Sequence, residues 1–520
     1  MFLVTAGQMQ EMDRETIESF GIPGLVLMEN AGRGAVDFLI NHFKPAKEQK
    51  IAIFAGRGNN GGDGFVIARY LLEQQIPVRV FLLSSKEKVI GDARVNLDLF
   101  DTLCRKYSIG DLIEITSSES FNTYRSTLFH HNLFVDAILG TGLNSDVRGF
   151  FKDAIELINT FRKPVLSIDI PSGLNADTGH PMGVAVKADA TVTFAFAKTG
   201  HILFPGNQYT GQLKVVDIGI PRFIVESKKP ALSLTDRQQV ADLFTPRDFA
   251  AHKGSYGHLL VIAGSEGKTG AAVLCANTAA RCGTGLVTLG VPESLNAGIE
   301  PMVIEPMTAA LCEEKKGRVT IHCFDQIRAL AEDKQALAIG PGIGTDKGTR
   351  DLVLELIQNS TIPMVIDADG LNCLAGNLSV LKQAAAPVIL TPHPGEMARL
   401  CGKTAAAIQA DRIWFASDFA QKHNVFLILK GARTIISMPD GRSFINPTGN
   451  PGMASGGMGD VLTGLIAGFC AQGFSPEDAG IAGVYIHGLC ADLLSEQIGG
   501  FGFLASDMVS AIPTAIHRHL

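Results

Sequence analysis

The sequence holds no C-x-x-C pair, and its nine cysteines (Cys104, Cys275, Cys282, Cys312, Cys323, Cys373, Cys401, Cys470 and Cys490) are odd in number. This argues against structural zinc and a disulfide framework, and reads the thiols as small apolar core residues in a reducing compartment. Nor is there an excess of positive charge: 45 Lys and Arg against 52 Asp and Glu leave a formal net charge of −7. A surface without a basic footprint gives no reason to expect nucleic acid or anionic membrane as a partner. No apolar run approaches the roughly 20 residues of a membrane span. The opening MFLVTAGQMQEMDRE lacks the positive stretch of a secretory signal. The expected location is the cytoplasm. What is abundant is glycine, 56 in 520 residues, which suits a chain with many tight strand-to-helix turns.

Short apolar runs alternate with helical-period segments throughout, the pattern of parallel sheets with crossover helices. In the first half the expected strands are 51–55, Val78–Leu83, Leu133–Ile138, Val165–Ile170, Thr191–Phe196 and Leu213–Val216. The charged stretch Glu226-Ser227-Lys228-Lys229-Pro230 interrupts the rhythm. A second series follows at Leu259–Ala263, Leu286–Leu289, Ala336–Ile339, Met364–Ile366, Val388–Leu390 and Phe426–Leu429. The expected fold class is α/β, two three-layer αβα domains over 1–225 and 226–520.

The most specific stretch lies near the end, NPTGNPGMASGGMGD, running from Asn446 to Asp460. Glycines let consecutive backbone N–H groups converge on an anion, and the helix that begins there adds partial positive charge. Asp460 beside such a hole can take a proton from an attacking hydroxyl; on this stretch alone it could equally be a helix cap. Other polar groups follow strands in the same half: Lys430 to Thr434 (KGART), the run TPHPGE with His393, the run Asp367-Ala368-Asp369-Gly370, and GPGIG ending at Gly344. In parallel sheets such strand ends form the ligand crevice. The run Gly264-Ser-Glu-Gly267-Lys268-Thr269 has the wrong spacing for a P-loop, so Lys268 reads as a surface or rim residue.

In the first half GRGNNGGDG, residues 56–64, satisfies G-x-G-x-x-G after a strand and before a helix. The acid that a redox dinucleotide site wants at the end of the second strand is missing, for that strand ends Phe81-Leu82-Leu83-Ser84-Ser85. Asp136, Asp169, Ser172 and Lys198 instead follow strands of this half. Oxygens of Asn60, Asp136 and Ser172 could bind a hard, weakly held cation, although singly such residues are often only caps and turn formers.

Residues 252–264 (HKGSYGHLLVIAG), GPGIG, DADGLN, TPHPGE, KGART and NPTGNPG…GMGD together resemble the ADP/ATP-dependent NAD(P)H-hydrate dehydratases, of ribokinase-like fold. The resemblance implies that Lys430, Gly431, Ala432, Arg433, Thr434 and Gly459 hold the adenine nucleotide, with Mg²⁺ accompanying ADP or ATP. It implies that Ala272, Gly344, His393 and Asp460 face the hydrated nicotinamide, Asp460 being catalytic. Met458 stands where that family more often has a small polar residue. Glu396 and Asp367 are both open as neighbours of the Mg²⁺.

From TAGQMQEMDRETIESFGIPGLVLMENAG to about residue 220 the chain resembles the NAD(P)H-hydrate epimerases, Rossmann-like in fold. That resemblance implies K⁺ on Asn60, Asp136 and Ser172. It implies contacts to the hydrated dinucleotide from Asn59, Asn60, Gly61, Gly62, Asp63 and Gly64, from Gly140, Thr141, Gly142, Leu143, Asn144, Ser145 and Asp146, and from Asp169. Asp169 is the candidate for proton transfer between R and S epimers, whereas Met28-Glu29-Asn30 reads as packing or interface. The order of the halves is that of bifunctional NAD(P)H-hydrate repair enzymes, which implies the hydrates NADHX and NADPHX and ADP as small-molecule partners. A homo-oligomer is the expected assembly. Two alternatives stay open: an ordinary kinase in the second half, leaving a stable phosphate, and a non-catalytic binding module in the first.

Overall fold

The computed structural model describes residues 1–518. The chain divides into two units, Phe2–Pro230 and, apart from Met1, the chain from Ala231 onward. Among the described residues no helix is long and apolar enough to cross a membrane.

The first unit is built on seven parallel strands in the order Gly110–Glu114, Val78–Leu82, Ile51–Ala55, Leu133–Ala137, Val165–Ile168, Ala190–Phe194 and Gln212–Val216. Ile51–Ala55 is buried at every position because alternate side chains enter two different cores. Ile51 and Ile53 pack with Leu39, Leu71 and Leu97 of the helices Gly24–Phe43, Asn59–Glu73 and Gly91–Cys104. Phe54 points the other way, into an aromatic cluster with Phe81, Phe121 and Phe134. Strand order reverses between Ile51–Ala55 and Leu133–Ala137, which opens a crevice beyond Ala55 and Ala137.

Four strands of this unit stop short of their sequence-based ends, Val78–Leu82 and Leu133–Ala137 by one residue and two others, by two residues each, for a local reason. Val165–Ile168 ends where Asp169 turns to φ 63°, and Ala190–Phe194 ends at Ala195 with φ 57°. Non-glycine residues in that region are strained, and such strain gathers at functional sites. Gly110–Glu114 carries no strand signal in its pattern, since it is a half-buried edge strand with no apolar run.

In the second unit seven parallel strands, in the order Met307–Leu311, Leu286–Pro292, His258–Ile262, Ala336–Ile339, Met364–Ile366, Val388–Leu390 and Phe426–Leu429, continue into Ile435–Ser437, Ser443–Ile445 and Leu232–Leu234. The turn from Phe426–Leu429 through Ile435–Ser437 to Ser443–Ile445 is antiparallel. One face is covered by the helices Thr269–Arg281, Met458–Ala471 and Pro476–Ile498, whose apolar residues share a core with Val261, Ala338, Val365 and Ile389. Met458–Ala471 is buried at every position from Val461 onward. A helix apolar all round is a central element rather than a surface one. Here order reverses between His258–Ile262 and Ala336–Ile339, and the GPGIG loop crosses the gap, the Gly264 N–H donating to the Pro341 carbonyl at 2.8 Å.

Candidate active sites

At the first crevice lies a cavity of about 870 Å³. Residues 56–60, the start of the glycine run, line it. Helix Asn59–Glu73 starts directly after Gly58, so the N–H groups of its first turn face the crevice as an anion-binding end. A Cβ on Gly61 would stand 1.9 Å from the Gly56 carbonyl oxygen, and one on Gly56 would stand 2.0 Å from that of Ile138. These glycines are therefore required by close backbone approach. Gly61→Ala is expected to lower the unfolding midpoint of the first unit, at a cost of about 1–3 kcal/mol for overpacking. An unchanged denaturant midpoint would contradict this packing.

Asn59, Asn60, Asp63 and Gly140 through Asn144 line the cavity, together with Asp169. Gly61, Gly62 and Gly64 lie behind it, pressed on the Gly56 backbone, Met28 and Ala137, and Ser145 and Asp146 fall outside its lining. Met28 lines it too, its side chain packed toward Gly62, while Glu29 and Asn30 are structural, Glu29 bonding Arg69 and Tyr70, and Asn30 the Ile218 carbonyl.

Asp136 is fully buried beneath the cavity. Ser172 donates to it from Oγ at 2.5 Å and from its backbone N–H at 2.8 Å, and Ser167 Oγ donates at 2.8 Å. Burial raises the carboxyl's pKa, and the Ser172 bonds oppose the rise. Ser172 Oγ also accepts from the Leu139 N–H at 2.8 Å, and the next residue, Gly140, packs on the Asn60 side chain. Both polar atoms of the Asn60 amide are buried without a partner. An orphaned amide oxygen, linked through the Leu139–Gly140 turn to a buried carboxylate and hydroxyl, offers with them an all-oxygen donor set of the kind that fits a hard monovalent cation.

Asp169 meets a buried lysine. Lys198, 1% exposed, puts Nζ 2.7 Å from Asp169 Oδ1 and 2.8 Å from Thr193 Oγ1. Burial raises the Asp169 carboxyl, but the charge and hydrogen bond of Lys198, with His201 and Thr193, together outweigh it and the net shift is downward. His201 fixes the turn from the other side: its Nε2 stands 2.9 Å from the Asp169 carbonyl, and burial pushes its pKa down to about 3, so it is neutral. Asp63 behaves oppositely to Asp169. Burial first, then the charges of Asp169 and Asp13, hold it well above the usual range.

In the second unit the sequence-derived residues meet around Asp367. Lys430 Nζ is 2.6 Å from Asp367 Oδ1 and 3.8 Å from Glu396 Oε2, and Thr463 donates to Asp367 Oδ2 at 2.8 Å. Burial pulls the ammonium down, yet Asp367 and Glu396 leave it raised overall. A Cβ on Gly459 would lie 3.4 Å from Lys430 Nζ. Asp460 follows in the first turn of Met458–Ala471, whose cap is Gly457 at φ 89°, with no side-chain cap bond. Asp460 is thus not the cap. Burial, then the neighbouring Asp367 charge, push its pKa up to about 6 against the pull of Lys430.

Gly344 donates its N–H to Asp369 Oδ2 at 3.0 Å, and Lys268 reaches the same oxygen at 2.8 Å with its side chain half-exposed. His393 caps helix Pro394–Cys401, accepting from the Gly395 N–H at 2.9 Å. Ala272 is fully buried on helix Thr269–Arg281, against Gly264. The KGART loop holds Arg433 at φ 58° and is braced by a residue absent from the sequence reading: Arg412 donates to the carbonyls of Ala432 at 2.5 Å and Leu429 at 3.1 Å. A lone arginine opening the helix Arg412–His423 carries no local signal of such a role. Among the described residues no group of three or more His, Cys, Asp or Glu forms a metal-holding cluster.

Comparison with known proteins matches residues 259–514 to the family model for NAD(P)H-hydrate dehydratase and residues 24–200 to that of the YjeF-related protein N-terminus. The bifunctional NAD(P)H-hydrate repair enzyme Nnr of Moorella thermoacetica is 42% identical over 519 residues, spanning 100% of this chain and 97% of that protein. Its counterpart in Thermofilum pendens is 35% identical over 99% of this chain and 96% of its own length. Among solved structures, the ADP/ATP-dependent NAD(P)H-hydrate dehydratase of Bacillus subtilis, co-crystallised with ATP/Mg²⁺, is 31% identical and covers 55% of this chain and 99% of its own, with a TM-score of 0.49. With relatives aligned end to end and both crevices built from the residues described, the chain belongs to the bifunctional NAD(P)H-hydrate repair enzymes.

Proposed function

We propose that the two sites act in turn on one damaged coenzyme. The cavity of the first unit receives hydrated NADH or NADPH and interconverts its R and S epimers. The site around Asp460 dehydrates the S epimer at the expense of ADP. The observation that carries the reading is the placement of Asp460 in the first turn of a helix, beside the Lys430–Asp367 pair.

There Asp460 takes the proton of the substrate hydroxyl as its oxygen attacks the terminal phosphoryl group. Lys430 and the N–H groups at the start of Met458–Ala471 offset the charge of the transferred group. Hydroxide is a poor leaving group and phosphate a good one, so the ring nitrogen's lone pair then expels phosphate, and proton loss restores the ring double bond. Asp367 or Glu396 would neighbour Mg²⁺ carried in on the nucleotide phosphates, where it supplies further positive charge. Both carboxylates are already engaged by Lys430, which suits an ion brought by the nucleotide.

In the first unit the N–H groups opening helix Asn59–Glu73 would take the pyrophosphate, with Asp169 near the hydrated ring. Asn60, Asp136 and Ser172 would hold K⁺, which supplies a fixed positive charge under the Leu139–Gly140 turn. A cytoplasmic location agrees with nine free thiols.

Product analysis tests the reading. With ADP and the hydrate, inorganic phosphate and NAD(P)H are expected in equal amounts, and epimerisation without ADP should run faster in K⁺ than in tetramethylammonium. A lasting phosphorylated product would make the second unit an ordinary kinase. Equal epimerisation rates in the two salts would remove K⁺.

A further inference from the structure

We propose that Asp13, on the opening helix, is the group that carries the proton during epimerisation, while Asp169 serves to hold Lys198. The proposal rests on the epimerase reading of the first unit.

Met9, Asp13 and Ile17 recur every four residues, so helix Ala6–Arg14 and the turn after it present one face to the 870 Å³ cavity. Met12, one residue away, turns into the core and is fully buried. Asp13 Oδ1 is buried with no hydrogen-bond partner. An unpaired buried carboxylate oxygen is costly, and a cavity-lining one is poised for a donor brought by the ligand. Asp169 is the poorer proton carrier, because Lys198 at 2.7 Å and Thr193 at 3.1 Å hold it as the anion. Burial raises the Asp13 pKa to about 6, with Lys198 pulling down and Asp169 pushing up. That value suits a group that both takes and returns a proton near neutrality. The charged groups facing Asp13 are Lys198, Asp169 and Asp63; on the other side of its helix Lys228 pairs with Glu15 and Glu11.

The hydroxyl-bearing carbon of the substrate is bonded to the ring nitrogen, so one carboxylate can serve both atoms. Asp13 removes the hydroxyl proton. The oxygen's electron pair becomes a C=O bond as the C–N bond breaks, and the nitrogen, which keeps that pair, takes the proton back from Asp13. The opened ring is an aldehyde and an enamine N–H. After the aldehyde rotates, the same steps in reverse close the ring on the opposite face. Nothing is oxidised or reduced, and no atom is gained.

The test uses the full chain without ADP, following R and S hydrate by NMR. Asp13→Asn is expected to lower the epimerisation kcat on the order of 100-fold with hydrate affinity near that of the wild type, and Asp13→Glu should recover part of the rate. The wild-type rate should fall as pH drops through about 6, as the carboxylate protonates. A wild-type kcat in Asp13→Asn would overturn the proposal. So would a loss confined to hydrate affinity, which would make Asp13 a binding residue only. A wild-type chain no faster than spontaneous epimerisation would instead overturn the epimerase reading itself.

Discussion

Asp460→Asn is expected to slow ADP-dependent recovery of NAD(P)H by about 100- to 10,000-fold, the range for a lost general base, with ADP affinity little changed. The amide keeps the shape and burial of the carboxyl but cannot accept the hydroxyl proton. Lys430, Asp367 and Thr463 keep their bonds to one another in the variant, so the nucleotide end of the site should survive. The wild type should show a matching pH limb. A carboxyl raised to about 6 is ionised and active above that pH, and is protonated and inactive below it. Dehydration should therefore fall as pH drops through about 6, and the residual rate of Asp460→Asn should lack that limb. Near-wild-type turnover in the variant would take Asp460 out of the chemistry.

The second large effect concerns stability. Lys198→Met should destabilise the first unit by about 3–5 kcal/mol, the cost of leaving a buried charge without its partner. Lys198 is 1% exposed and Asp169 16%, so little water reaches either end of the pair. In the variant Asp169 loses its nearest cation at a backbone already turned to φ 63°. The double variant Lys198→Met with Asp169→Asn should recover most of the loss, since neither charge is then stranded. Denaturant unfolding measures both. A single variant as stable as the wild type, or a double variant no better than the single, would contradict the pairing.

Much of this arrangement could be read from residue order alone. The central strands announce themselves because burial on both faces makes them continuous apolar runs, as in Ile51–Ala55 and Leu259–Ile262. The edge strands Gly110–Glu114 and Met307–Leu311 do not, because apart from Leu311 all their residues keep some exposure to solvent. The apolar runs carry on past the true strand ends where a non-glycine residue turns to positive φ, at Asp169 and Ala195, for nothing in such a run marks that turn.

The sites divide in the same way. Lys430 and Asp460 each sit in a conspicuous local pattern. Asp13 and Arg412 act across the fold from helices whose sequence looks ordinary, and only tertiary geometry sets Asp13 at a cavity or Arg412 under the KGART loop. The glycines of residues 56–64 resemble a redox fingerprint because both kinds of site press a strand end against a helix start; Asp63, Asp169 and Lys198 set this cavity apart.

One time course tests the whole account most directly: an equal mixture of R and S hydrate, supplied with excess ADP and Mg²⁺ and followed by the near-ultraviolet absorbance of reduced nicotinamide. The account predicts that the intact chain returns the entire mixture to NAD(P)H without a pause. A course that halts at half recovery, then creeps on at the uncatalysed rate of epimer exchange, would contradict it.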